Sequence, residues 1–200
     1  MKLVVVLADA ELELAPAGTG LPALDAYFHR DLVKSMDDGD RRGRGDIVHS
    51  CLLLLQGSEL NRQGNLGVFV HTRGGQVIAV EPGAKIAPNY IRFLQQMGSL
   101  LAGGKAEGYS LSDRDFKQLI AEIGADLVVA MSPHGRDVPL SEVLRSRPDG
   151  TVAVVMGAFP CGDYQSPVYE LCDVSVSLGP ELLTVPEVVR RVLSAASENP

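Results

Sequence analysis

The sequence predicts an α/β protein built on a parallel sheet that is covered on both faces. Three observations lead there. Residues 125–131, 151–156 and 173–177 are apolar runs of the length of a buried strand. A helix-like segment, residues 139–147, separates the first two. Each run then ends in a loop of glycine and small residues: Ser132-Pro133-His134-Gly135, Gly157-Ala158-Phe159-Pro160-Cys161-Gly162-Asp163 and Leu178-Gly179-Pro180. Strands buried on both faces read as continuous apolar runs, whereas half-buried strands alternate. Ligands of such sheets lie beyond the carboxyl ends of the strands, so these three loops are expected to frame a small-molecule pocket.

Taken in order, residues 2–7 are β-branched and apolar and predict a buried strand, while residues 11–16 fit neither period. Residues 21–36 place Leu24, Phe28, Leu32 and Val33 at helical spacing and predict the first long helix. Residues 35–45 hold no apolar side chain except Met36 and are crowded with Asp, Arg and Gly, which predicts an exposed loop. An apolar helix follows over residues 47–56, with Asp46 where an N-cap belongs. Residues 65–82 read as a hairpin: Leu66, Val68 and Val70 alternate, Gly74-Gly75 turns the chain and residues 77–80 return. An antiparallel pair in a parallel pattern reads as an insertion.

Residues 89–101 predict a helix that buries Ile91, Phe93, Leu94, Met97 and Leu100 and points Arg92 and Gln96 elsewhere. Gly103-Gly104 ends it, and residues 105–109 read as a linker. Ser112-Asp113-Arg114-Asp115 opens the next helix with a capping-box pattern, above a buried side of Phe116, Leu119, Ile120 and Ile123. A last helix over residues 185–196 carries Val188, Val189, Val192 and Leu193 on one stripe.

Two hundred residues at 46% hydrophobic content suit a single domain over residues 1–200. No apolar stretch is long enough to span a membrane and Met1-Lys2 runs straight into a strand, so the expected address is the cytoplasm. Cys51, Cys161 and Cys172 have no paired spacing and fit reduced thiols. The net charge of −7 is uneven. Residues 27–105 hold ten Lys and Arg against seven Asp and Glu, and the remainder holds eight against eighteen. A polyanionic partner would therefore meet the middle of the chain.

Several chemistries are set aside. Gly18-Thr19-Gly20-Leu21-Pro22-Ala23 has dinucleotide-type spacing, but it lies well beyond the first strand instead of at its tip. His29, His49, His71 and His134 lack ligand spacing, and no metal is expected. Ser132 and His134 are too close, across a proline, for a nucleophile and its base, and Asp37-Asp38-Gly39-Asp40 lacks the spacing of a calcium loop. Met131, Met156 and Phe159 read as core. What remains is a pocket of backbone and apolar groups beside exposed arginines, suited to a ligand such as adenine.

Four motifs carry a resemblance: Arg42-Gly43-Arg44-Gly45-Asp46-Ile47-Val48-His49, Val68-Phe69-Val70-His71-Thr72, Asn89-Tyr90-Ile91-Arg92-Phe93 and the loop from Gly157 to Asp163. With the opening Val6-Leu7-Ala8-Asp9, and in this order, they resemble the archaeal branch of the ribosomal small-subunit pseudouridine N1-methyltransferases, of the SPOUT or α/β-knot superfamily. The resemblance implies an α/β knot with a C-terminal trefoil, an inserted antiparallel hairpin and a homodimer. It implies S-adenosylmethionine as cofactor, held by Gly157, Gly162, Val176, Ser177, Leu178, Gly179, Pro180 and Leu182. It further implies small-subunit ribosomal RNA as partner, touched by Arg44, Lys85 and Arg92, with Pro88 at a further RNA-contacting position that is usually basic. Residues 36–87 would supply a basic loop, helix and hairpin to that contact. Asp46 and Arg44 are the catalytic candidates, Asp46 either as base or as the group that holds Arg44. Gly45 stands where the family usually has proline, and Gly179-Pro180-Glu181 where it has Tyr-Pro-Leu. A non-catalytic ribosome-assembly factor and a transfer-RNA methyltransferase of the same superfamily are the alternatives.

Overall fold

The computed structural model describes residues 1–197, so the last three residues of the domain expected over 1–200 lie outside the described residues. In chain order the elements are β1 (Lys2–Ala10), α1 (Arg30–Lys34), α2 (Gly45–Gln56), α3 (Glu59–Arg62), β2 (Leu66–Thr72), β3 (Val77–Val80), α4 (Tyr90–Leu101), β4 (Tyr109–Ser112), α5 (Phe116–Ile123), β5 (Leu127–Asp137), α6 (Leu140–Arg145), β6 (Thr151–Gly157), α7 (Val168–Leu171), β7 (Val174–Ser177) and α8 (Val185–Ser197).

The strands form one sheet in the order β4-β3-β2-β1-β6-β5-β7. Pairing is parallel from β2 across to β7 and antiparallel at β2-β3 and β3-β4. Successive side chains of a strand point to opposite faces, and here both faces are core. Leu3, Val5 and Leu7 of β1, Val152, Val154 and Met156 of β6, and Leu127, Val129 and Met131 of β5 pack with α2, α4, α6 and α8. Their neighbours Val4, Val6, Ala153, Val155, Val128 and Ala130 pack on the other face with Phe116 and Leu119 of α5 and Val168 of α7. That double burial is why the strands read as unbroken apolar runs.

The hairpin forms as expected, with His71 opposite Val77 and Val68 opposite Val80. The turn is closed by Thr72, which donates its N–H to the Gln76 carbonyl at 2.8 Å and accepts the Gln76 N–H on Oγ1 at 3.1 Å. The hairpin extends the main sheet, because β2 also runs parallel to β1.

Four local expectations are corrected. The helix expected over residues 21–36 shrinks to Arg30–Lys34. Asp25 Oδ1 accepts the N–H groups of Tyr27 and Phe28 at 2.9 and 3.0 Å, and such side-chain bonding competes with the helical ladder. Residues 105–109 are not simply a linker, since Tyr109 begins a strand that pairs antiparallel with β3. Ser112 is the last residue of that strand, and the capping box belongs to Asp115: its Oδ1 accepts the Gln118 N–H at 2.7 Å, and Gln118 Oε1 accepts the Asp115 N–H at 3.0 Å. Finally, the segment 35–45 is exposed only in its first half. Arg41, Gly43 and Gly45 are buried, because Arg41 finds a partner in Glu11, itself wholly buried at the end of β1.

Candidate functional site

The carboxyl ends of β5, β6 and β7 frame a cavity of about 840 Å³. On β5 the chain bulges: Met131 and Arg136 both register with Val176, so the residues between them leave the ladder. Ser132, Pro133 and His134 line the cavity. Gly135 turns back against β7 so closely that a Cβ there would stand 2.5 Å from the Val176 carbonyl carbon. After β6, Gly157 and residues 159–164 form the second wall, with Gly162 at φ +81°, the left-handed region that favours glycine. After β7, residues 176–179 and 181–186 form the third wall and lead directly into α8.

The walls are braced by side-chain hydrogen bonds. The Tyr164 hydroxyl donates to the Met131 carbonyl at 2.7 Å and to the Val155 carbonyl at 3.3 Å. Burial pushes its proton affinity up, so it remains a donor. Tyr169 bridges two walls, its hydroxyl 2.9 Å from Ser132 Oγ and donating to Asp163 Oδ1 at 2.8 Å. Arg191 of α8 donates to the Leu178 carbonyl at 3.0 Å. Arg41 donates Nη1 to the carbonyls of Asp163 and Cys161, at 2.7 and 3.3 Å, while its Nε pairs with Glu11.

Asp9, at the unusual φ of +49°, anchors the far end of the second loop by accepting the N–H groups of Gln165 and Ser166 at 2.8 and 3.0 Å. Burial would raise its carboxyl, but the nearby His71 imidazole and the donors of Ser166 and Gln165 outweigh it and bring it down to about 2.

Arg44 and Asp46 stand at the rim of the cavity. They pair in a bidentate fork, Nε to Oδ1 and Nη2 to Oδ2, both at 2.8 Å. The pairing raises the Arg44 pKa further above its ordinary value. The expected N-cap role of Asp46 does not occur. Arg44 occupies the cap position without a side-chain bond, and Asp46 sits inside the first turn of α2, where a carboxylate still favours the helix dipole.

Of the cofactor candidates, Gly157, Gly162, Val176, Ser177, Leu178, Gly179 and Leu182 line the cavity, while Pro180 is not among its lining residues. Lys85, Pro88 and Arg92 are exposed and outside it, on the segment that packs against α2. In that contact His49 Nε2 lies 2.7 Å from the Ala87 carbonyl, and the His49 ring stacks on Phe93 at 4.8 Å. Met131 and Met156 are core, as expected, yet they also form the cavity floor, joined by Phe159. Ser132 and His134 do not form a nucleophile and base, since Ser132 Oγ accepts the His134 N–H at 3.2 Å. Sequence reasoning missed Arg41, Tyr164, Tyr169 and the start of α8. The one available signal was the pair of tyrosines just after the Gly162 turn.

These features define an α/β protein with a nucleotide-sized, largely apolar cavity at the carboxyl edge of its sheet and a fixed arginine at the rim. The model of the EMG1/NEP1 methyltransferase family matches residues 5–197. The ribosomal RNA small subunit methyltransferase Nep1 of Methanothrix thermoacetophila is 36% identical over 94% of this chain and 92% of its own. Its namesake from Thermococcus kodakarensis is 37% identical over 94% of each. The crystal structure of Archaeoglobus fulgidus Nep1 bound to S-adenosylhomocysteine superposes with a TM-score of 0.83 at 32% identity, over 98% of both chains. The chain belongs to the EMG1/NEP1 methyltransferase family.

Proposed function

We propose that this protein methylates N1 of a pseudouridine in small-subunit ribosomal RNA, using S-adenosylmethionine. The observation that carries the reading is the cavity of about 840 Å³ whose rim is the Arg44–Asp46 fork. The residues fit the cofactor: Met131, Met156, Leu178 and Val185 offer apolar walls for adenine, and the glycines at 157, 162 and 179 leave main-chain groups open to its edge. When bound, S-adenosylmethionine supplies an electrophilic methyl group on a sulfonium. Gly157, Gly162, residues 176–180 and Leu182 hold it, with Pro180 acting on the backbone path of the loop.

The protein's own part is alignment, which is worth up to about 7–11 kcal/mol when reacting atoms are held near 3–3.5 Å. Arg44, Lys85 and Arg92, with the surface around Pro88, hold RNA phosphates and offset the few kcal/mol needed to unstack the target base. Residues 36–87 thus contribute RNA contacts to one α/β-knot domain, together with Pro88 and Arg92 just beyond them. Asp46 fixes the Arg44 guanidinium and receives, directly or through a water, the proton that leaves N1 as the methyl arrives. The strand order β7-β5-β6-β1-β2 is that of a sheet able to carry a C-terminal trefoil knot, and a homodimer acting in the cytoplasm completes the proposal.

The test is Asp46→Ala. Methyl incorporation into a pseudouridine-containing stem-loop should fall by about 10²–10⁴-fold, with S-adenosylmethionine affinity by calorimetry nearly unchanged. Collapse of cofactor binding with intact RNA binding would overturn the assignment of the two sites. Methylation of transfer RNA instead, or of no RNA at all, would favour the alternatives.

A further inference from the structure

A second cavity, of about 320 Å³, adjoins the first: Arg44 and Asp46 line both, and its other walls are Asp25, Ala26, Tyr27, Phe28, Gly43 and Tyr90. Tyr27 is 82% exposed and Phe28 51% exposed, with ring centroids 5.3 Å apart and planes at 88°. Two adjacent exposed aromatic rings leave apolar area in water, which is unfavourable unless something covers them.

The turn that presents them is held on several sides. Asp25, only 4% exposed, accepts the N–H groups of Tyr27 and Phe28 on Oδ1 and the Tyr90 hydroxyl on Oδ2 at 2.6 Å. The Asp25 N–H donates to His29 Nδ1 at 3.0 Å, and the Ala26 N–H to the Gly43 carbonyl at 2.9 Å. Gly43, at φ +68°, lets the Arg44 strand of the loop approach so closely that a Cβ would lie 2.7 Å from the Ala26 nitrogen. The rings are therefore presented on a backbone fixed before any ligand arrives, and that backbone is bonded to the residue preceding the rim arginine.

From this juxtaposition we infer that Tyr27 and Phe28 are a stacking platform for a nucleobase next to the methylated one. The inference rests on the proposed RNA reaction and deepens it. A cavity of this size takes one nucleoside, the aromatic faces match a base of any identity, and Arg44 stands where the phosphate between that nucleotide and the target would pass. Single-stranded RNA is bound in this way, by aromatic faces along a cationic path. The target base enters the large cavity and its neighbour covers the rings.

The experiment uses the full chain and a stem-loop carrying the target pseudouridine, with 2-aminopurine or an abasic nucleotide at each flanking position in turn. For the parent protein, 2-aminopurine at one flanking position should be quenched on binding, and the abasic nucleotide there should raise KM about tenfold. Tyr27→Ala and Phe28→Ala should remove both effects, raise KM for the intact RNA by a similar factor and leave kcat and S-adenosylmethionine affinity unchanged. Equal KM values for parent and variants, no quenching at either flank, or a change of oligomeric state in Tyr27→Ala that marks the patch as a self-contact would each overturn the platform. If the parent binds and quenches but transfers no methyl group, the platform stands and the proposed reaction fails.

Discussion

The guanidinium carbon of Arg41 stands 3.8 Å from the centroid of the Phe159 ring, so the loop that precedes the Arg44–Asp46 fork is stacked onto the loop that walls the large cavity. The same side chain pairs with Glu11, whose own exposure is zero. Burial pushes the Glu11 carboxyl up, and the guanidinium groups of Arg41 and Arg73 oppose that shift.

Arg41→Ala should therefore cost about 3–5 kcal/mol, the penalty for leaving one partner of a buried pair behind, eased by Arg73 at 3.3 Å from Glu11. Arg41→Lys should recover only part of it, because a point charge cannot reproduce the planar fork and the ring stack. Urea denaturation measures the first effect, and calorimetry with S-adenosylmethionine should show weaker binding in both variants. A loss below about 0.5 kcal/mol, typical of an ordinary surface change, would contradict this.

Asp9 sets an acid limit on stability. Its folded pKa of about 2 lies below the unfolded value near 3.9, so the stabilisation is complete above about pH 4 and is lost as pH falls toward 2. The amount is about 2–3 kcal/mol. Asp9→Asn should flatten the dependence of the urea midpoint on pH in that window and leave the slope above pH 5 unaltered.

Gly135→Ala should open the β5-β7 ladder. The new Cβ would meet Val176 backbone atoms at 2.5 and 2.6 Å, and backbone cannot swing aside as a side-chain tip can. A stability loss above about 2 kcal/mol, with weaker cofactor binding, is expected. Gly83→Ala, where nothing lies within 4 Å, is the control and should be near neutral.

Arg92→Ala should reduce RNA affinity by removing one phosphate contact, which lowers the log-log salt slope by about 0.7–0.9. The fold should not notice, since the Arg92 side chain is exposed and its N–H is held by Asn89 Oδ1 at 3.1 Å whatever the side chain. Salt-dependent binding curves for parent and variant decide it.

The parallel strands were legible because burial on both faces leaves an unbroken apolar run, and the hairpin because Gly74-Gly75 separates an alternating stretch from a returning apolar one. The cavity was legible because its walls are the loops that follow those strands. The misreadings have long-range or side-chain causes. Residues 24–33 have helical spacing, but Asp25 captures the N–H groups that a helix would need. β4 is four residues long and gains its identity only from β3. Arg41 is buried because Glu11 lies beneath it, a pairing that no local pattern reveals. Arg44 and Asp46 were the exception, since a separation of two residues was enough to bring their side chains together.

The last wall of the large cavity is made by residues 176–179 and 181–186 and braced from α8 by Arg191. During synthesis the methyl donor's compartment thus stays open on one side until α8 has emerged and docked. A polypeptide that has emerged only as far as α2 displays the Arg44–Asp46 fork with no closed compartment behind it, so loading with cofactor waits for the docking of α8.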